Sequence, residues 1–217
     1  MELFNHSRYD TDKGVNYLRY YEHFFRPLRN QPVNLLELGI HRGGSLRMWR
    51  DYFPLGKIIG VDLAPPQMEP VTRLHTFAGD ASDPETFQRI EQQTGCSSFD
   101  IIIDDASHVG SISKKSFELL YVERLAKGGI YVIEDWGTGY RDGWPDGEAF
   151  KPMEMMLEGA DPKYRFKTHD YGMVGWVKSM VDVMGQADIR AGGGAIDAPV
   201  IDLVSVAPGL VFLSKPR

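Results

Sequence analysis

The sequence predicts an α/β fold: one mostly parallel sheet of seven strands, helices on both faces, and an antiparallel hairpin at the C-terminal end. Three observations carry this. Short apolar runs alternate with helix-period stretches from Val33 to Glu134, the pattern of βαβ units. Two of those runs, Phe99-Asp100-Ile101-Ile102-Ile103-Asp104 and Gly129-Ile130-Tyr131-Val132-Ile133-Glu134, are rich in β-branched residues and nearly unbroken, as strands buried on both faces are. Finally, IDLVSVA and LVFLSK flank Pro208-Gly209, which reads as two strands joined by a tight turn.

In chain order, residues 14–30 place Tyr17, Tyr20, Tyr21, Phe24 and Phe25 at near-helical spacing before Pro32, so an amphipathic helix should cover the sheet. Val33–Leu38 is a short strand, followed by Gly39, Gly43 and Gly44 and a helix over Ser45–Tyr52. Lys57–Asp62 and Leu74–Ala78 are the next strands. Asp83-Pro84 has the form of an N-cap with proline at the first helical position and opens a helix to about Gln93. After the strand at 99–104, Ser111–Ala126 is predicted as a helix closed by Lys127-Gly128-Gly129. Beyond residue 135 the pattern changes. Residues 136–150 read as a loop, Met173–Met184 as a helix, and Ala191–Ala195 as a glycine-rich break. The expectation is a single domain over 1–217, with a cap-helix region at 1–32 and an insertion or lid over 136–195.

Bulk properties narrow the function classes. A chain of 217 residues can bury a sizeable core. A net charge of −6 argues against nucleic acid or an anionic membrane as partner. One cysteine, Cys96, excludes an internal disulfide and a cysteine-rich zinc site, and fits a reducing compartment. The first ten residues hold no apolar signal-peptide core, and no apolar stretch approaches the roughly 18 residues of a bilayer span. A cytoplasmic location is expected.

The chemistry concentrates at predicted strand ends, where open α/β sheets bind ligands. Gly39, Gly43 and Ser45 follow Glu37 in a strand-to-helix turn that lets backbone approach a ligand closely. Asp62, nineteen residues after Gly43, stands where an acid accepts hydrogen bonds from ribose hydroxyls. The spacing is not the dinucleotide G-x-G-x-x-G, which favours a nucleoside cofactor without a pyrophosphate. Asp80 and Ala81 end the third strand and could border an adenine edge. Asp104 belongs either to the cofactor side or to structure. Asp105, Glu134 and Asp135 supply three carboxylates from neighbouring strand ends, a donor set suited to Mg²⁺ or Mn²⁺. His108 stands three residues after Asp105 as a fourth ligand or a general base. Trp136, Tyr140 and Trp144 crowd the following loop and suit stacking on a sugar or ring. His169 and Tyr171 are weaker candidates for the same side, and Met153, Met155 and Met156 read as core filler.

These residues resemble a known family. The layout is similar to class I S-adenosylmethionine-dependent methyltransferases, with their Rossmann-like seven-stranded sheet. More closely, Thr11-Asp12-Lys13, LLELGIHRGGSLRMWRDYFP, GVD, FDIIIDDASH and GGIYVIEDW resemble the metal-dependent O-methyltransferases of macrolide and rhamnose-type sugars over residues 11–136. The resemblance implies that Glu37, Gly39 and Asp62 hold S-adenosylmethionine, that Asp80 and Ala81 border its adenine, and that Thr11 and Lys13 close over its methionine end. It further implies that Asp105, Glu134 and Asp135 bind Mg²⁺ and that His108 is the base. The acceptor would be a small hydroxylated molecule, glycosylated in character. Loop 137–150 has its own sequence, which leaves the acceptor open. The macrolide enzymes carry a large N-terminal domain outside the matching region, so their assembly is not carried over and a homo-oligomer stays one expectation. Three alternatives stand beside this reading: a nucleotide-dependent oxidoreductase on the same sheet, a methyltransferase for a catechol-like acceptor, and a non-catalytic binding module.

Overall fold

The computed structural model describes residues 8–69, 71–149, 153–155, 166–168, 170–189 and 200–217. Met156, His169 and the break at Ala191–Ala195 lie outside them. Among the described residues, the strands β1 (Asn34–Leu38), β2 (Lys57–Asp62), β3 (Leu74–Ala78), β4 (Phe99–Asp104), β5 (Leu125–Glu134), β8 (Leu203–Ala207) and β9 (Leu210–Ser214) form one sheet in the order β3-β2-β1-β4-β5-β9-β8. Strands β1 to β5 run parallel, and β9 runs antiparallel to both β5 and β8. Strand order reverses between β1 and β4, so the crevice expected at such a switch point opens above their carboxyl ends.

Helices α1 (Val15–Phe25) and α2 (Gly44–Tyr52) cover one face, and α3 (Pro84–Thr94), α4 (Gly110–Glu123) and α6 (Gly172–Ile189) cover the other. The first face is cored by Tyr21, Phe25, Trp49, Phe53 and Phe212, whose rings meet edge-on or tilted. The second packs Phe87, Ile90, Phe117, Leu120, Met173 and Val177 against the sheet. As expected, Asp83 caps α3 by accepting the Glu85 N–H at 3.0 Å, with Pro84 opening the helix.

Three elements differ from expectation. The first helix ends at Phe25, and Arg26–Leu28 continues as one 3₁₀ turn. Helix α4 ends at Glu123 rather than near Ala126, and Gly128 is not its stop. Buried Leu125 already pairs with Phe99 at the start of β5, and the Phe99 N–H bonds to the Arg124 carbonyl. Gly128, at φ +73°, takes up the register shift before Ile130 rejoins Ile101, and donates to the carbonyls of Lys215 and Pro216. The segment after β5 carries structure of its own: a 3₁₀ turn over Trp136–Tyr140, a short helix α5 (Pro145–Ala149), and a two-stranded ribbon of β6 (Met153–Met155) with β7 (Phe166–Thr168). No described helix is long and apolar enough to cross a membrane.

The α1 face depends on its aromatic contacts, because Phe25 is fully buried against Trp49, Phe53 and Phe212. Phe25→Ala is expected to lower unfolding free energy by about 3–5 kcal/mol. Val122→Ala, at an exposed position of α4, should stay within about 0.5 kcal/mol. Chemical denaturation followed by far-UV circular dichroism checks both.

Candidate active site

Three neighbouring cavities form a trough over the carboxyl ends of the parallel strands. The first, about 250 Å³, is lined by Gly39, Asp62, Leu63, Asp80, Ala81 and Asp104 among others. The second, about 470 Å³, shares Gly39, Asp62 and Ala106 with it and adds Thr11, Lys13, Ser45, His108 and Trp144. The third, about 290 Å³, lies beside Tyr17, Glu134 and Asp135. Gly39 sits at the switch point with φ +78°, and a Cβ there would stand 2.2 Å from the Asp105 carbonyl oxygen. The ends of β1 and β4 approach too closely for any side chain.

Asp62 ends β2 with both carboxylate oxygens engaged, one by the Ile40 N–H at 3.0 Å and the other by the Ala64 N–H at 3.0 Å. It therefore braces the β1 turn and still faces both cavities. Asp80 closes a tight turn by accepting from the Ser82 N–H and hydroxyl. Asp104 is buried at the floor of the first cavity. Burial pushes its carboxyl up to about 7, despite hydrogen bonds from the Ala106 N–H and the Tyr131 and Ser113 hydroxyls. Glu37 and Gly43 do not line the trough. Glu37 is fully buried beneath it, accepting from the Ser45 hydroxyl at 2.8 Å. Gly43 turns the chain into α2 in the left-handed region.

The acids form two groups that share Asp105: Glu37, Asp105 and Glu134, and then Asp105, His108 and Asp135. The first group surrounds the Lys13 ammonium, which is 2% exposed and stands 3.1 Å from Glu37, 2.8 Å from Asp105 and 2.5 Å from Glu134. Burial alone would lower the lysine pKa, but the field of Asp105, Glu134 and Glu37 holds it well above the ordinary value. Burial, then repulsion from Asp105, pushes Glu134 up to about 8 against the pull of Lys13. Glu37 and Asp105 are raised by burial as well. Three carboxylates compete for one ammonium, so Lys13 stays charged while the acids are frustrated.

Asp105 joins the two groups through different oxygens. Oδ2 meets Lys13, while Oδ1 lies 3.9 Å from His108 Nε2. Asp135 Oδ2 is 4.0 Å from the same nitrogen, and its Oδ1 accepts from the Tyr17 hydroxyl at 2.5 Å. The Tyr21 hydroxyl donates to Glu134. Asp105, Glu134 and Asp135 all line the third cavity. Asp105 and Asp135 offer hard carboxylate oxygens beside His108, a set that suits a divalent metal completed by water, whereas Glu134 groups with Glu37 and Asp105 around Lys13. His108 and Asp135 both hold left-handed backbone, at φ +52° and +55°. That conformation is uncommon outside glycine, and both residues line the second cavity.

Of the three loop aromatics, Trp144 lines the second cavity and meets His108 edge-on at 5.3 Å between ring centroids. Trp136 goes elsewhere: its indole N–H donates to the Ala207 carbonyl, and its ring packs on the core. Tyr140 stacks edge-on against Trp136 at 6.4 Å. Tyr171 lines a separate groove between α4 and α6. The helical spacing predicts Tyr17 and Tyr21 only as sheet cover, whereas their hydroxyls reach Asp135 and Glu134. Their spacing of four on α1 was the available signal, since it puts both hydroxyls on one helix face.

This sheet order, with a nucleoside-sized trough above β1 and β2, is the Rossmann-like methyltransferase fold. The chain belongs to the FtsJ-like methyltransferase family, whose model matches residues 18–136, more than half of its length. It is 44% identical over 131 residues to the 8-demethyl-8-(2-methoxy-alpha-L-rhamnosyl)-tetracenomycin-C 3'-O-methyltransferase of Streptomyces olivaceus, covering 57% of this chain and 33% of that one. It is 34% identical over 226 residues to the mycinamicin VI 2''-O-methyltransferase of Micromonospora griseorubida, covering 97% of this chain and 51% of that one. Among solved structures it is similar to the MycE methyltransferase of the mycinamycin biosynthetic pathway in complex with Mg and SAH, with a TM-score of 0.76 and 31% identity over 100% of this chain and 54% of that one. The chain thus spans between a third and about half of the length of these curated relatives.

Removing the central ammonium leaves buried acids without a counter-charge. Lys13→Met is expected to destabilise the protein by about 3–5 kcal/mol at neutral pH. Carboxyls with raised pKa bind more protons folded than unfolded, so the deficit should shrink as pH falls from about 8 towards 5. Urea melts of both proteins across that range check the magnitude and the sign.

Proposed function

We propose that this chain is an S-adenosylmethionine-dependent, divalent-metal-assisted O-methyltransferase acting on a hydroxyl of a glycosyl group or similar polyhydroxylated natural product. The observation that carries this reading is the convergence of His108, Asp105 and Asp135 at the mouth of the trough that begins at Asp62 and Asp80. In this reading Gly39, Asp62, Asp80, Ala81 and Asp104 surround the nucleoside, and Thr11, Gly43 and Ser45 shape the turn over its methionine end. Glu37 and Lys13 act from beneath as a buried ion pair. Asp105, Glu134 and Asp135 would hold Mg²⁺ or Mn²⁺, which would supply a Lewis acid that makes an acceptor hydroxyl more acidic. His108 Nε2 takes the hydroxyl proton as oxygen attacks the sulfonium methyl. The new C–O bond forms as the C–S bond breaks, and the sulfur leaves as a neutral thioether with the electron pair. The chain's contribution is mainly alignment and exclusion of water. Trp144 is the aromatic wall for the acceptor, with Trp136 and Tyr140 supporting the loop behind it.

The sugar assignment is supported by the relatives, which include a rhamnosyl-tetracenomycin 2'-O-methyltransferase and an L-olivosyl-oleandolide 3-O-methyltransferase. A net charge of −6 and an acid-lined mouth disfavour a polyanionic acceptor such as RNA. The chain acts as one domain in the cytoplasm, alone or as a homo-oligomer. A catechol serves as the competing substrate class in the test.

The test is a methyl-transfer screen with S-adenosylmethionine, Mg²⁺, mycinamicin VI, a rhamnosyl-tetracenomycin and a catechol, read by mass spectrometry. Methylation of a glycosyl acceptor, loss with EDTA and recovery with Mg²⁺ are expected. His108→Ala should lower kcat by about 10²–10⁴-fold while calorimetric binding of S-adenosylhomocysteine persists. Full turnover by His108→Ala, or turnover of the catechol alone, would sink the proposal.

A further inference from the structure

Asp146 is a buried carboxylate that the proposed chemistry does not use. It lies on α5, is 5% exposed, and accepts through Oδ2 from two backbone N–H groups on different helices: Gly110 of α4 at 2.8 Å and Met173 of α6 at 2.7 Å. Val109, the residue before α4, gives that helix no side-chain cap. A carboxylate from a distant segment therefore satisfies first-turn donors of two helices at once and sits at the positive end of both. The junction is tight. A Cβ on Gly110 would lie 2.2 Å from backbone of Gly172 and Met173, and a Cβ on Gly172 would lie 2.3 Å from the Asp146 carboxylate.

The two ends of this clip adjoin site residues along the chain. Gly110 follows His108 by two residues, and Asp146 follows Trp144 by two. The Trp144 ring stands edge-on to the His108 imidazole. The Thr138 hydroxyl, from the same loop, donates to the His108 carbonyl at 3.4 Å. His108 holds its uncommon backbone conformation between these contacts, and α4 begins immediately behind it.

We infer that Asp146 is the positioning residue of the site: by tying α5 to the first turns of α4 and α6, it seats Trp144 against His108 and fixes the imidazole relative to Asp105 and Asp135. This rests on His108 being the base. Without the carboxylate, two buried N–H groups lose their acceptor and the loop has no fixed height over the cavity. Asparagine keeps one oxygen for both donors, so it should substitute where alanine does not.

The experiment uses the full chain labelled with 5-fluorotryptophan. Of its four tryptophans, Trp144 is identified in the ¹⁹F spectrum by loss of its signal in Trp144→Phe. In Asp146→Ala the Trp144 resonance should shift or broaden while that of Trp49, on the opposite face of the sheet, holds. With an acceptor that turns over, kcat should fall by about ten- to a hundredfold, the effect of roughly 1 Å of misplacement, with KM for S-adenosylmethionine within about twofold. Asp146→Asn should recover kcat to within about threefold of the parent. If Asp146→Ala does not fold, Asp146→Glu tests the same junction by moving the carboxylate one methylene further from α5. An unmoved Trp144 resonance overturns the inference, as does a loss of kcat that asparagine fails to recover. If no acceptor turns over in any variant, the ¹⁹F readout still decides it, so failure of the functional reading and failure of this one stay distinct.

Discussion

The site depends on one buried ammonium. Lys13 places a single positive charge among Glu37, Asp105 and Glu134, which come from β1 and from the ends of β4 and β5. Bare, these acids would repel one another at the centre of the sheet edge, and each would sit far above its ordinary pKa. With Lys13 between them they become the pins that hold the segment before α1 onto the sheet. Tyr21 reinforces the arrangement by donating to Glu134. The aromatic face of α1 and the polar site are therefore one construction: the helix that buries Tyr21 and Phe25 delivers the hydroxyls, and the segment just before it delivers the charge, that organise the acids.

From that centre the carboxylates divide by reach. Asp105 turns one oxygen inward to Lys13 and the other outward to His108. Asp135, on left-handed backbone just past β5, is held by Tyr17 and faces the same imidazole. A trough lined by glycine and small residues continues from there across β1 and β2 to Asp80 and Ala81. Cofactor, metal and acceptor in the proposed reaction therefore meet where strand order reverses. There the sheet leaves room, and the approach of β1 to β4 leaves none for a side chain at Gly39.

Much of this was legible in the sequence. The strands Lys57–Asp62, Leu74–Ala78 and Phe99–Asp104 follow from apolar runs between turn residues, and Asp83-Pro84 caps α3 as its chemistry demands. Asp105, His108 and Asp135 were identifiable because acids at strand ends converge in a parallel sheet. The end of α4 was not legible: Lys127-Gly128-Gly129 has the look of a helix stop, but Leu125 is worth more buried against Phe99 than in a last helical turn. Trp136 and Trp144 are equally aromatic and eight residues apart. One is claimed by the Ala207 carbonyl and the core, the other by His108, and no local pattern separates them.

The sequence by itself determined the parallel strands, the terminal hairpin and the list of acids, because hydrophobic period, glycine turns and strand-end carboxylates are local properties. Only the tertiary structure decided which acid faces which partner. Lys13 lies 92 residues from Asp105 and 121 from Glu134, and Asp146 lies 36 from Gly110. Those pairings arise from where α1 and α5 land on a finished sheet, and burial then gives each its strength. A charge or a buried acceptor acquires its role from the neighbours that exclude water around it, and those neighbours are distant in the chain.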